Sequence, residues 1–137
     1  MGTEHEPGER AVLLTGKTVL VVEPEAFAAY ALERRMHDLD AERVIVLHDA
    51  EEAALRVGHL DGHGDALDGA DVAVIDMDES TRAAGRLADL LHRRNVKVVG
   101  TSRRETLRLD DAMPTVAKPY GMVEIERAIG RHYGVLI

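Results

Sequence analysis

The sequence predicts an α/β fold, a doubly wound sheet of five parallel strands with helices on both faces. Two observations predict it. Short β-branched runs recur along the chain, at Lys17 to Val22, Val44 to Leu47, Val72 to Ile75, Val96 to Val99 and Val116-Ala117. Strands buried on both faces read as such continuous apolar runs. Between them the pattern changes to helical spacing, and strand–helix alternation favours parallel strands joined by right-handed crossovers.

Residues 1–16 read as a tail, because Glu4-His5-Glu6-Pro7-Gly8-Glu9-Arg10 is polar and broken by Pro and Gly. Ala11 to Leu14 is apolar but too short to classify. Residues 17–137 are expected to form the folded domain. After the first strand, Glu25 to His37 reads as a helix in which Phe27, Ala31 and Leu32 fall near helical spacing, with Leu39 a turn further on. After the second strand, Asp49 is placed to cap a helix with Glu52 at its third position. Asp61 to Gly69 is a Gly- and Asp-rich loop. Past the third strand, Ser80 or Thr81 can cap a helix that carries Leu87, Leu90 and Leu91 on one side. Its end, His92-Arg93-Arg94, puts positive charge where the helix dipole favours it. A short helix is expected over 103–109 after the fourth strand. A final helix is expected over 122–133, with Val123, Ile125, Ala128 and Ile129 as its apolar positions.

Composition narrows the function. The 137 residues suit one domain with a sizeable core, 45% hydrophobic and only 3% aromatic, so the core must be aliphatic. A net charge of -8 argues against nucleic acid and anionic membranes, which need clustered Lys and Arg. The absence of Cys excludes disulfides and cysteine zinc sites. The start of the chain lacks the basic and apolar regions of a signal peptide, and no apolar stretch approaches the ~20 residues of a membrane helix. A cytoplasmic location is expected.

Four of the apolar runs end on polar residues of contrasting type. The first stops at Glu23, the third at Asp76, the fourth at Thr101, and the fifth at Lys118 with Pro119 behind it. In an open parallel sheet, ligands gather outside the carboxyl ends of the strands. Two acids, a hydroxyl and an amine should therefore share one cleft.

In kind and order these residues resemble those of the receiver domains of two-component response regulators. The resemblance spans about residues 17–133 and rests on Val21-Val22-Glu23-Pro24-Glu25, Val74-Ile75-Asp76, Thr101-Ser102 and Lys118-Pro119-Tyr120. It is most similar to stand-alone receivers whose first acidic motif begins with Glu. It implies a flavodoxin-like (βα)5 sheet of strand order 2-1-3-4-5. It implies that Asp76 is a phosphoacceptor served by a histidine kinase or phosphotransfer protein, and that the domain is a signalling module rather than an enzyme. It further implies Mg²⁺ in an acidic pocket of Glu23, Asp76 and the main-chain carbonyl of Asp78. Lys118 and Thr101 would meet the phosphoryl oxygens, and the Lys118–Pro119 bond would be cis. With no effector domain expected, output would pass through an unidentified downstream protein, and homodimerisation is an option.

The chain also departs from that pattern. Pro24 stands where the second acid, a direct metal ligand, belongs, so Mg²⁺ binding is expected to be weakened. Glu25 is the next carboxylate, with its longer stem and its register against it as a ligand. The Asp78 side chain adds negative charge near the pocket. Thr115 replaces the aromatic residue that moves with the switch hydroxyl, and Tyr120 is expected to pack beside the Lys–Pro pair. Met77-Asp78-Glu79-Ser80 replaces the usual Pro- and Gly-containing turn. Thr101 and Ser102 compete for the hydroxyl role.

Two rival functions follow. Pro24 favours a pseudo-receiver, an interaction module that is not phosphorylated. Asp76-Met77-Asp78 also matches the Asp-x-Asp of haloacid-dehalogenase-type phosphatases, although that motif belongs on their first strand and their second acidic pair follows the Lys. His59 and His63 around Asp61-Gly62 read as a polar loop rather than a metal or cobalamin site, because Ala66 stands where the cobalamin motif needs Gly. Arg103, Arg104 and Arg108 read as a solvated face near the switch end.

Overall fold

Strands that are apolar on both faces need cover above and below, and the chain supplies it. The computed structural model describes residues 12–58, 69–104 and 113–136. Its strands are β1 (Thr18–Val22), β2 (Arg43–Leu47), β3 (Val72–Asp76), β4 (Lys97–Ser102) and β5 (Thr115–Ala117). They form one parallel sheet of order β2-β1-β3-β4-β5, as expected. The register aligns Val22 with both Leu47 and Ile75, and Asp76 with Thr101, so the carboxyl ends of the strands are nearly level.

Side chains alternate along each strand and build two cores. Leu20, Val22, Ala73 and Ile75 pack with Ala53 and Val57 of α2 (Ala50–Gly58) and with Leu87 and Leu91 of α3 (Thr81–Arg93). Val19, Val21, Val72 and Val74 pack with Leu32 and Met36 of α1 (Ala26–Asp38) and with Ile125 and Ile129 of α4 (Met122–His132). Arg35 of α1 also pairs with Glu126 of α4, a fully buried acid, its Nε donating to Oε1 at 2.6 Å. Among the described residues, no helix is long and apolar enough to cross a membrane.

The helix starts use local acids. The Glu25 carboxylate caps α1, accepting from the N–H groups of Phe27 and Ala28 at 3.1 and 2.9 Å. Asp49 caps α2 through the N–H groups of Glu51 and Glu52, as its spacing suggested. Ser80 occupies the N-cap of α3 without a side-chain bond, and the Thr81 hydroxyl instead donates to the Met77 carbonyl at 3.2 Å. Glu124 accepts the Gly121 N–H at 2.7 Å at the start of α4.

Several expectations change. Leu13 and Leu14, within the segment read as a tail, are buried in the α1–α4 core. The Leu14 N–H donates to the Leu39 carbonyl at 2.9 Å, and Thr15 bridges to Ala41. Four apolar residues were too few to show a period, yet two of them, Leu13 and Leu14, pack into the core. Strand four runs on to Ser102, so Thr101 and Ser102 are both strand residues. Helix α1 buries Ala29, Leu32 and Met36, whereas Phe27 and Ala31 face solvent. The helix expected over 103–109 lies outside the described residues from 105 onward, and Arg103 and Arg104 are not helical. His59, His63 and Arg108 also lie outside the described residues.

If residues 12–16 belong to the core, Leu14→Ala should lower the unfolding free energy by about 2–5 kcal/mol. Urea denaturation measures it, and a loss under about 0.5 kcal/mol, as at an exposed surface position, would return the segment to the tail.

Candidate functional site

The level strand ends carry their polar residues to one place. Glu23 follows β1, Asp76 closes β3, Thr101 lies beside it in β4, and Lys118 follows β5. Backbone bonds hold these ends together: Glu23 N–H to Leu47 O at 3.0 Å, Met77 N–H to Thr101 O at 2.9 Å, and Lys118 N–H to Ser102 O at 2.8 Å. His48 Nδ1 lies 2.9 Å from the Glu23 carbonyl, which can only accept, so Nδ1 carries the proton. Glu23 and Asp76 are 3% and 4% exposed, a degree of burial that a carboxylate tolerates only with partners.

The partner they share is Lys118. Its ammonium contacts Asp76 Oδ1 directly and lies 3.9 Å from Glu23 Oε1 and 3.8 Å from Asp78 Oδ2. Hydrogen bonds finish the arrangement. Asp76 Oδ2 accepts the Glu79 N–H at 3.1 Å, and Glu23 Oε2 accepts the Glu25 N–H at 3.0 Å. Asp78 is clasped to the end of β4, accepting from the Ser102 hydroxyl at 2.7 Å and the Arg103 N–H at 2.8 Å. The Arg104 N–H closes this clasp on Ser102 Oγ at 3.0 Å.

Electrostatics separates Glu23 from Asp78. Burial lifts the Glu23 carboxyl above its ordinary value, the charges of Asp76 and Glu25 add to the lift, and the Glu25 N–H and Lys118 oppose it. Burial acts upward on Asp78 too, but Ser102, the Arg103 N–H, Lys118 and Arg104 outweigh it and hold its carboxyl below the usual value. Tyr120 packs against the α1–α4 core next to the Lys–Pro pair. Burial, then the charges of Glu23 and Asp76, push its phenol up to about 12, so it stays neutral at physiological pH.

The structure separates the candidate residues that sequence left together. The Ser102 hydroxyl is committed to Asp78, whereas Thr101, the register partner of Asp76, has a buried Oγ1 with no hydrogen-bond partner among the described residues. Thr115 Oγ1 is also buried and unpartnered, but it pairs with Gly100 at the opposite end of β5 from Lys118. Glu25 does not join the pocket as a ligand, because capping α1 occupies both of its carboxylate oxygens. The Lys118–Pro119 bond is cis. The phosphatase arrangement finds no support: Asp76 lies on β3, and both oxygens of Asp78 are hydrogen-bonded. The Asp78 clasp and His48 were not singled out from sequence; a backbone partner, whether N–H or carbonyl, leaves no residue-type signal.

Mg²⁺ commonly takes one or two carboxylates from a protein and fills the rest of its octahedron with water and phosphate. Glu23 and Asp76 supply two, and Pro24 supplies none. Both oxygens of Asp76 are engaged, and the cation between the acids is the Lys118 ammonium. Among the described residues, no group of three or more His, Asp or Glu side chains is arranged to hold a metal ion. Glu23 and Asp76 are the side chains that would hold Mg²⁺ here, with Lys118 as the cation now between them.

A raised carboxyl pKa makes ionised Glu23 a cost to the folded state. The cost is present above the folded pKa and vanishes as the pH falls below the unfolded value of 4.5. Glu23→Gln should accordingly raise the melting temperature at pH 7, with the gain shrinking as the pH approaches 4. Thermal melts across that range decide it, and a loss of stability at pH 7 would mean that the attraction of Lys118 outweighs burial.

No protein-family model matches the chain, and no curated protein matches it. Solved structures do. A response regulator receiver domain protein from Bacillus halodurans aligns over 85% of this chain and 96% of its own, at TM-score 0.64 and 20% identity. The beryllofluoride-activated SdrG of Pseudomonas melonis aligns over 88% and 95%, at TM-score 0.60 and 24% identity. The receiver domain of the sensor histidine kinase PA1611 of Pseudomonas aeruginosa, with magnesium coordinated in its active-site cleft, aligns over 88% and 99%, at TM-score 0.63 and 19% identity. The chain thus has the receiver-domain fold of two-component response regulators, a flavodoxin-like parallel sheet of order 2-1-3-4-5.

Proposed function

We propose that this chain is a receiver module of phosphorelay signalling that accepts a phosphoryl group on Asp76 and acts through protein contacts. One observation carries the proposal: buried Asp76 contacts the ammonium of Lys118, and its register partner Thr101 keeps a buried hydroxyl with no hydrogen-bond partner among the described residues. A buried hydroxyl without a partner costs about 1–3 kcal/mol, which is reasonable where a further acceptor is meant to arrive.

In the transfer, an Asp76 oxygen forms a bond to phosphorus as the phosphorus–nitrogen bond of a donor phosphohistidine breaks. The donor imidazole keeps the electron pair and takes up a proton. Such transfers rely on positioning and charge stabilisation more than on covalent chemistry by the protein. Lys118 would shift from Asp76 Oδ1 to a phosphoryl oxygen, and Thr101 would donate to another. A histidine kinase or phosphotransfer protein is the donor class this chemistry requires. Mg²⁺, which the PA1611 receiver domain coordinates, would lend positive charge to the phosphoryl oxygens if it binds; no step above is routed through it.

Pro24, which has no side-chain oxygen to offer a metal, favours a second reading, an interaction module that is never phosphorylated. Intact-mass measurement separates the two after treatment with acetyl phosphate, phosphoramidate or a phosphorylated donor protein, each with Mg²⁺ or with EDTA. The expected result is a single phosphoryl adduct, absent from Asp76→Asn. No adduct with any donor leaves the second reading standing. Thr101→Val should still be labelled and should melt no lower than the wild type, because it removes an unpaired buried hydroxyl. Its amide spectrum should change less on phosphorylation than that of the wild type. A clear loss of stability in Thr101→Val would show that the hydroxyl has a structural partner.

A further inference from the structure

Helical spacing places Phe27, Tyr30, Ala31 and Arg34 on one face of α1. That face is in solvent: Phe27 is 84% and Tyr30 56% exposed, and Ala31 and Arg34 are exposed as well. The chain has one Phe and no Trp. A core so short of aromatics leaves its only Phe outside, where burial would have stabilised the fold. Exposed Tyr and Phe beside Arg are the residue types that dominate binding energy at protein interfaces. Arg34 already turns toward an aromatic ring in its own chain. Its guanidinium carbon lies 5.9 Å from the Tyr30 ring centre, and Nη1 donates to the Tyr30 hydroxyl at 3.4 Å.

The order of the stripe identifies what covers it. Along the axis it reads ring, then ring beside a methyl, then cation. A two-fold axis midway between positions 30 and 31 reverses that order in a second copy. Phe27 then lies opposite the partner's Arg34, and Tyr30 lies opposite the partner's Ala31. Each guanidinium meets a ring face, and each Tyr ring meets the smallest side chain of the stripe. We propose that two copies of this chain associate through α1, antiparallel about a two-fold axis, with each surface its own complement.

One helix face buries less than the roughly 1,200 Å² at which stable complexes begin, so the dimer should be weak and reversible. The proposal rests on α1 alone and does not depend on phosphorylation of Asp76.

Sedimentation velocity of the full chain from about 10 to several hundred micromolar should show a concentration-dependent monomer–dimer equilibrium. Phe27→Glu and Arg34→Glu should each weaken it at least about tenfold, with melting temperatures unchanged because both residues lie in solvent. Arg82→Glu, on the exposed side of α3, should leave it intact. The chain has no Cys, so Ala31→Cys adds its only thiol, next to the two-fold axis. Mild oxidation should then yield a disulfide-linked dimer, and the same treatment of Arg86→Cys should not. A chain that stays monomeric throughout overturns the proposal. So does a dimer that ignores both α1 substitutions, or one that fails to cross-link at position 31.

Discussion

One ammonium faces three carboxylates at the carboxyl end of the sheet, and the rest of the site depends on that imbalance. Lys118 contacts Asp76 and lies within 4 Å of Glu23 and Asp78. Ionised acids this buried would repel one another and lose hydration without it. The sheet makes the meeting compulsory. Its central strands are buried on both faces and end level, so the first polar residue after each apolar run is delivered to the same edge. The Lys118 N–H bond to Ser102 O fixes the ammonium's base on the end of β4. The two cores behind the pocket hold the spacing that this single cation must span.

The pocket was legible in the sequence because it depends on where apolar runs stop. Glu23, Asp76, Thr101 and Lys118 were all found that way, and the structure brings them together. What escaped depended on geometry that residue type does not encode. Thr101 and Ser102 are neighbours of equal chemistry, and only strand alternation, which sends one toward Asp78 and leaves the other unbonded, tells them apart. Leu13 and Leu14 were assigned to a tail because a four-residue segment has no period, though Leu14 is fully buried. Phe27 fell at helical spacing with Leu32, but the sequence does not state which side of a helix the sheet will cover. The fully buried Glu126 pairs through Oε1 with Arg35, a residue 91 positions away, in a contact that exists only in the folded chain.

Pro24 and Asp78 are best understood together. A side-chain ligand is missing where the resemblance places the second acid after β1, and an extra carboxylate stands in the turn after β3. The cation therefore still faces three acids, but the third approaches from another side and is already held. Asp78 has two hydrogen bonds to the end of β4 and a lowered pKa, so it is ionised at neutral pH without being available as a free ligand. It acts as a fixed negative charge that competes for Lys118.

The same clasp ties the pocket to the backbone that leaves β4. Asp76 and Asp78 share one ammonium, so any change in the charge on Asp76 alters the field at Asp78. Asp78 holds the Ser102 hydroxyl and the Arg103 N–H, and Ser102 in turn holds the Arg104 N–H. Three short hydrogen bonds thus connect the charge state of a buried acid to the backbone that leaves β4. Arg103 and Arg104 are exposed and cationic, so a rearrangement of this clasp would appear at the surface as a moved pair of positive charges on an acidic protein. Here the contacts at the end of β4 are charged and short-ranged, with Lys118 touching Asp76 and lying 3.8 Å from Asp78.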